Sequence, residues 1–285
     1  MTIFSKAFTS WTSDVLAASK SIMAYNHVKA DDPSVTSLYG ERTALTSCAH
    51  LRPYIRETSN ILDVGCGPGI ITSDLAKIAN KGKTIGVDIN EGIVEQASKA
   101  FPPSAVPSLT FTVGDATKLE AFEDNAFDIV HVHALIVHIK DPVEVLRQFY
   151  RVCKPGGIVA VRESNPSIVL SLKPDVPAIR QYWDRANVVI AKIGGHPDAG
   201  KMLETWAKQA GFGSDGGKIV ATTSPQYQAS HLVRMSGAPA EQAIQHGMAT
   251  KEEMEGWRKG WEEWEAAEGH EWIFETGEIL CWKGE

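Results

Sequence analysis

Ile61-Leu62-Asp63-Val64-Gly65-Cys66-Gly67-Pro68-Gly69 is a short apolar run that ends in an acid and three alternating glycines, with the helical run Ile70 to Ala79 directly behind it. Glycine at 65, 67 and 69 lets the backbone take left-handed dihedrals and lets a ligand approach with no Cβ in the way. Turns of this kind lie at the strand ends where open α/β sheets bind their ligands. A glycine-rich strand-to-helix turn without a ligand is the bland alternative.

The dinucleotide fingerprint wants Gly-x-Gly-x-x-Gly, so that a pyrophosphate rests on the helix N-terminus. Here the third glycine comes one residue early, and Asp63 is an awkward neighbour for a pyrophosphate but a good one for a cation. The pattern Asp-x-Gly-x-Gly-x-Gly resembles motif I of class I S-adenosylmethionine (SAM) methyltransferases. SAM carries a sulfonium and an ammonium and no phosphate, so its charge suits a turn built from Asp63, Gly65, Cys66 and Gly67.

Two further acids fall in order behind the turn. Lys83 to Asp88 reads as a second strand ending in an acid, and an acid roughly 20 to 25 residues beyond the glycines is placed to bond a ribose diol. Asp88, with Ile89 beside it, takes that role. Leu109 to Val113 reads as a third strand, and the following Gly114-Asp115-Ala116 resembles the methyltransferase Gly-Asp-Ala motif, whose acid meets the adenine amino group. An Asp after a strand is also a common turn former.

Strand and helix alternate from Ile61 to Arg162, the signature of a parallel sheet with helices on both faces. Phe127 to Val132 reads as the fourth strand; Asp141-Pro142 opens a helix through Val152. Lys154-Pro155-Gly156-Gly157 turns into a fifth strand, Ile158 to Arg162. Pro166, Pro174 and Pro177 then punctuate a loop-and-helix insertion, after which Asp198 is expected to cap a helix running to Ala210. Lys218 to Thr223 and Glu271 to Lys283 read as strands six and seven. Between them Thr250 and Glu253 form a capping box, and Trp257, Trp261 and Trp264 recur at helical spacing, read as core packing with an aromatic substrate wall as the alternative.

With these motifs in register over about residues 20 to 212, the chain resembles the ubiquinone-biosynthesis-type (UbiE-like) class I methyltransferases, fungal members of unassigned substrate among them. The run Phe127 to Pro142 and the stretch Val161-Arg162-Glu163-Ser164 carry the closest likeness. The resemblance implies a Rossmann-like α/β fold with a seven-stranded sheet ending antiparallel, an N-terminal helical cap over residues 1–50, and a SAM-binding domain over 51–285. Substrate-covering insertions are expected near 165–197 and 225–268. Tyr25 and Arg42 lie in N-terminal helices that close over the cofactor in this family. Arg42 is a candidate for the SAM carboxylate, with an exposed surface arginine as the other reading.

The chain departs from the family where relatives carry glutamines and an Asp-Tyr pair, and it has Ala134, Val137 and Asn165-Pro166 instead. Those positions are expected to face the acceptor, so the pocket reads as more apolar. The expected function is methyl transfer from SAM to a hydrophobic small molecule of the secondary-metabolite kind. A cyclase or isomerase that holds SAM without transferring its methyl, a non-catalytic partner subunit, and a nicotinamide oxidoreductase are the alternatives. Displacement at a carbon activated by sulfonium needs alignment and at most a base. His133 is the preferred base, with His138 and Glu163 behind it, because histidine titrates near neutrality. For His131 a backbone contact to the SAM amino group is expected.

Composition narrows the partners. The 285 residues carry a formal charge of −7, and with no basic cluster a nucleic-acid backbone is not expected. No apolar stretch approaches the roughly 18 residues of a membrane span, and no signal-peptide core is apparent, so a cytoplasmic location is expected. Cys48, Cys66, Cys153 and Cys281 form no Cys-x-x-Cys pair and read as free thiols. His131-x-His133 alone is too few ligands for zinc, so no metal is expected. The oligomeric state stays open, a homodimer among the options.

Overall fold

The computed structural model describes residues 42–214 and 216–285. Its centre is a seven-stranded sheet in the order β3-β2-β1-β4-β5-β7-β6. The strands are β1 (Ile61–Val64), β2 (Thr84–Asp88), β3 (Leu109–Val113), β4 (Phe127–His133), β5 (Cys153–Lys173), β6 (Ile219–Tyr227) and β7 (Glu271–Trp282). The first five run parallel, and β7 lies antiparallel to both β5 and β6. The chain winds outward from β1 to β3, then returns to β4 on the other side of β1. That reversal opens a crevice at the carboxyl ends of β1 and β4.

The helices are α1 (Ala44–Ser47), α2 (Ile70–Ile78), α3 (Glu91–Ala100), α4 (Pro142–Val152), α5 (Pro177–Lys192), α6 (Leu203–Gln209), α7 (Gly237–Gln245) and α8 (Lys251–Ala266). Strand alternation sorts the core onto two faces. Leu62, Val64, Val130, Val132, Val159, Val161, Ile279 and Cys281 pack with α4 and α6. Ile61, Ile129, Ile158, Ala160 and Leu280 pack with α1 and α2. Asp63 and His131 are neighbours in the β1–β4 register, on the second face.

Three expectations change. Strand β5 is far longer than Ile158 to Arg162. Lys154–Gly157 bulges from it between Cys153 and Ile158, with Gly156 at φ +71°, so the expected turn survives as an interruption. Beyond Arg162 the chain does not dissolve into a loop. Val169 and Ser171–Lys173 pair with Phe274–Glu271 of β7 past a bulge that absorbs Pro166, and Gln226 and Tyr227 of β6 pair with Phe274 and Ile273 on the other edge, so the three strands extend as an arm. The helix expected from Asp198 is a 3₁₀ turn, Ala199–Met202, leading into the short α6. Asp198 does not cap it, because its carboxylate accepts from Ser167 N at 3.1 Å and Ser167 Oγ at 2.6 Å and pairs with Lys201 at 2.8 Å.

The arm supports a second core. Trp257, Trp261 and Trp264 of α8 pack with Trp272, Phe274, Val176 and Ile179. Gly260 makes the approach of α8 to α5 close, since a Cβ there would stand 2.5 Å from Ala178 Cβ. The expected capping box starts α8: Glu253 N donates to Thr250 Oγ1 at 3.1 Å and Thr250 N donates to Glu253 at 2.7 Å. Trp261 is fully buried, and truncating a side chain of that size costs about 3–5 kcal/mol. No helix among the described residues is long and apolar enough to cross a membrane.

Candidate active site

Gly65 N and Cys66 N both donate to Val87 O, at 2.8 and 3.0 Å, which draws the turn after β1 toward β2. Gly65, Gly67 and Gly69 have φ of +73°, +51° and +82°, the left-handed region that glycine tolerates. Their surroundings differ. A Cβ on Gly69 would stand 2.6 Å from the Phe111 ring, and one on Gly65 3.2 Å from Leu135, whereas one on Gly67 would meet nothing within 4 Å. Gly65 and Gly69 serve packing; Gly67 borders open space.

That space is a cavity of about 730 Å³. Its sheet side is formed by Asp63 to Pro68, by Asp88 and Ile89, and by Gly114, Asp115 and Ala116, so the three sequence motifs converge. Asp88 accepts from Gly67 N at 3.1 Å and from Asn90 N at 3.0 Å, pinning the glycine turn to the end of β2. Asp115 Oδ1 accepts from Thr117 N and Thr117 Oγ1, at 2.8 and 2.7 Å, an Asx turn that leaves Oδ2 without a hydrogen bond among the described residues. Cys66 is buried, and burial together with Asp63 and Asp88 pushes its thiol well above the ordinary range. It is a filler.

Asp63 is committed before any ligand arrives. One oxygen pairs with His131 Nδ1 at 2.7 Å and the other accepts from Thr72 Oγ1 at 2.5 Å. His131 Nε2 lies 3.1 Å from Cys48 Sγ. Burial alone would lower the His131 pKa, but Cys48 and Asp63 outweigh it and raise it to about 10. The imidazolium thus neutralises the carboxylate that the sequence offered to a cationic ligand. The His131 side chain is fully buried and not part of the cavity wall, so it braces Asp63.

His133, two residues on, does line the cavity, and its ring makes no hydrogen bond among the described residues. Burial, then Arg42, Arg162, His131 and His50, hold its pKa well below the usual histidine value. It is unprotonated at neutral pH, as a base must be, but a weaker base than the sequence implies. His138 lines the cavity from its exposed rim.

Glu163 also lines the cavity, but its carboxylate is turned to the backbone. Oε1 accepts from Leu135 N and Ile136 N at 2.7 and 2.5 Å, and Oε2 is buried with no partner among the described residues. Burial raises its pKa to about 7 against the pull of those N–H groups and Arg42. Glu163 holds the turn after β4 in which Ala134 adopts φ +55°, a conformation a non-glycine residue keeps only when its surroundings enforce it. Ala134 and Val137 face the cavity as expected, and Arg42 borders it too. Asn165 and Pro166 do not. Asn165 is buried in the β5–β7 bulge and donates to Glu275 at 3.1 Å. Tyr25 lies outside the described residues.

The opposite wall was not legible from motifs. Tyr182 and Trp183 of α5, His231, Met235, Trp257 of α8 and Phe274 of β7 close the cavity. The tryptophan stripe therefore divides: Trp261 and Trp264 are core, while Trp257 also faces the cavity. Arg162, noted in the sequence only as part of a strand end, is the buried tie of this half. Its guanidinium pairs with Glu278 at 3.0 Å and reaches Ser224 Oγ, Pro225 O and Thr46 O. An arginine at the end of an otherwise apolar strand was its only sequence signal. Among the described residues, no three His, Cys, Asp or Glu side chains form a metal-sized cluster.

Residues 62–161 match the family model described as a methyltransferase domain. An uncharacterized methyltransferase of Schizosaccharomyces pombe is 33% identical over 189 residues, 64% of this chain and 66% of that protein. A probable methyltransferase, ltbC, of Aspergillus luteorubrus is 33% identical over 219 residues, 72% of this chain and 75% of that protein. The fold is shared with phosphoethanolamine N-methyltransferase 2 of Haemonchus contortus in complex with S-adenosyl-L-methionine, at 18% identity and a TM-score of 0.54. That match covers 91% of this chain and 60% of the other.

Proposed function

Since the chain belongs to the SAM-dependent methyltransferase family, we propose that it transfers the methyl group of SAM to a hydrophobic small molecule of the secondary-metabolite kind. The observation that carries this reading is the two-sided cavity, with glycines and acids on the sheet side and aromatic and aliphatic side chains opposite. The open space at the Gly67 Cβ position and the acids Asp88 and Asp115 at successive strand ends support SAM as the ligand. When bound, SAM supplies a methyl carbon already activated toward a nucleophile by its sulfonium.

The residues of the chain then divide the remaining work. In this reading Asp88 takes the ribose hydroxyls, Asp115 with Gly114 and Ala116 takes the adenine, and Ile89, 53% exposed, makes an apolar contact with it. Asp63, locked by His131 and Thr72, shapes the turn. Arg42 stands at the cavity as a partner for the carboxylate. The segments near 165–197 and 225–268 cover the acceptor and exclude water, which strengthens every polar contact inside. His133 takes the acceptor's proton where the acceptor has one to lose, and Glu163 fixes the turn that follows His133.

The test is to incubate purified protein with methyl-labelled SAM and organic-phase extracts of the source cells, following S-adenosylhomocysteine. Acceptor-dependent S-adenosylhomocysteine together with label in an organic-soluble product is expected. SAM binding with no S-adenosylhomocysteine formed would overturn methyl transfer and favour the non-methylating reading; binding of NAD instead of SAM would overturn both.

A further inference from the structure

One polar pair stands in the aromatic wall of the cavity, far in sequence from every motif above. Tyr182 Oη and His231 Nδ1 are 3.0 Å apart, and both residues line the cavity. The Tyr182 ring meets those of Trp183 and Trp257 edge-on, each at 5.5 Å between centroids. The His231 ring stacks on Trp261 at 5.8 Å with 20° between planes. Packing thus fixes both rings, and the bond to Tyr182 fixes how the imidazole is turned. Its other nitrogen, Nε2, makes no hydrogen bond among the described residues.

Resting on the methyl-transfer reading, we infer that the Tyr182–His231 pair selects the acceptor: it takes a flat aromatic molecule whose hydroxyl group hydrogen-bonds His231 Nε2 while its ring lies against the aromatic wall. An aromatic ring is what edges and faces of Trp183, Trp257 and Phe274 accommodate. A hydroxyl is the oxygen group that fits whichever tautomer the Tyr182 bond selects, since it both donates and accepts. A ketone or carboxylate serves only when Nε2 carries the proton. Burial, with Arg234 and Arg42 nearby, keeps His231 well below the ordinary histidine pKa, so the ring stays neutral. The same positive field favours the lone pairs of a phenolic oxygen.

The role is recognition, so it is read by binding. Naphthalene, 2-naphthol and 2-naphthoate are titrated calorimetrically into the full-length protein saturated with S-adenosylhomocysteine. Wild type is expected to bind 2-naphthol about tenfold more tightly than naphthalene, the size of one added hydrogen bond. Tyr182→Phe and His231→Phe keep the aromatic packing and are expected to bring the two ligands to near-equal affinity, with S-adenosylhomocysteine affinity unchanged. Equal binding of naphthalene and 2-naphthol by wild type, no binding of 2-naphthol, a preference for 2-naphthoate, or a preference that survives both variants would each overturn the assignment. The wild-type comparison stands even if a variant fails to fold. Absence of S-adenosylhomocysteine binding would instead sink the cofactor reading, and the titration repeated without it still tests the pair.

Discussion

The two walls of the cavity are built in opposite ways. On the sheet side, polar groups find partners in the strand ends and first turns of a repeated unit: Asp88 holds the Gly67 and Asn90 amides, and Asp115 holds Thr117. On the far side, a residue of α5 meets His231 and Trp257, brought together by an arm of β5, β6 and β7. The first wall recognises through backbone geometry and a few acids; the second through aromatic surface with one polar pair. The difference implies that cofactor binding and acceptor binding separate under mutation.

The largest effect expected on the sheet wall comes from Gly67→Val. A side chain there fills ligand space and forces a β-branched residue to φ +51°, so SAM binding by calorimetry should be lost while the protein stays folded. Gly69→Val should do the reverse and destabilise the fold, because Phe111 occupies the space. If both variants behave alike, the glycines do not divide as described.

Next in size is the base. His133→Ala should slow turnover by a factor on the order of 10² to 10⁴ while SAM affinity stays near wild type. The loss should shrink at high pH, where the acceptor ionises unaided. Because the His133 pKa lies well below 6.5, wild-type turnover should show no histidine inflection as pH falls from 8 to 6.5. An equal loss at every pH would point to alignment instead of proton transfer.

Asp88→Ala should weaken SAM binding roughly tenfold to over a hundredfold, the range for losing about 1.5–3 kcal/mol from a charged acceptor. Since Asp88 also ties down the Gly67 amide, part of that loss should be recovered in Asp88→Asn. An unaltered dissociation constant in Asp88→Ala would remove it from the site.

The smallest effect is a pH dependence. His131 has a folded pKa raised from 6.5 to about 10, so its pairing with Asp63 stabilises in full below about pH 6.5 and fades as pH rises through 10. The melting-temperature gap between wild type and His131→Gln should narrow over that window. A gap that is constant from pH 6 to 10 would mean that His131 is neutral in the fold.

The sheet half was readable because its constraints are local. Alternating glycines and acids at strand ends act within a few residues, and the chain kept each of them. The role of Asp63 was read as ligand attraction because its partners, His131 and Thr72, become its neighbours only once β1, β4 and α2 are packed. Asn165-Pro166 was placed at the acceptor for a related reason: a bulge against β7 turns that segment into the core. Nothing local distinguishes a loop rich in proline from a bulged strand.

By itself, then, the sequence determined the α/β winding, the glycine turn and the three acids, because hydrophobic period and turn chemistry are properties of short segments. The tertiary structure alone decided which histidine faces the cavity, that Glu163 spends its charge on the backbone, and that Tyr182 meets His231. Those outcomes depend on burial and on pairings between distant segments. Both exist only after the sheet has closed its register and the tryptophan core has set α5 and α8 against the arm.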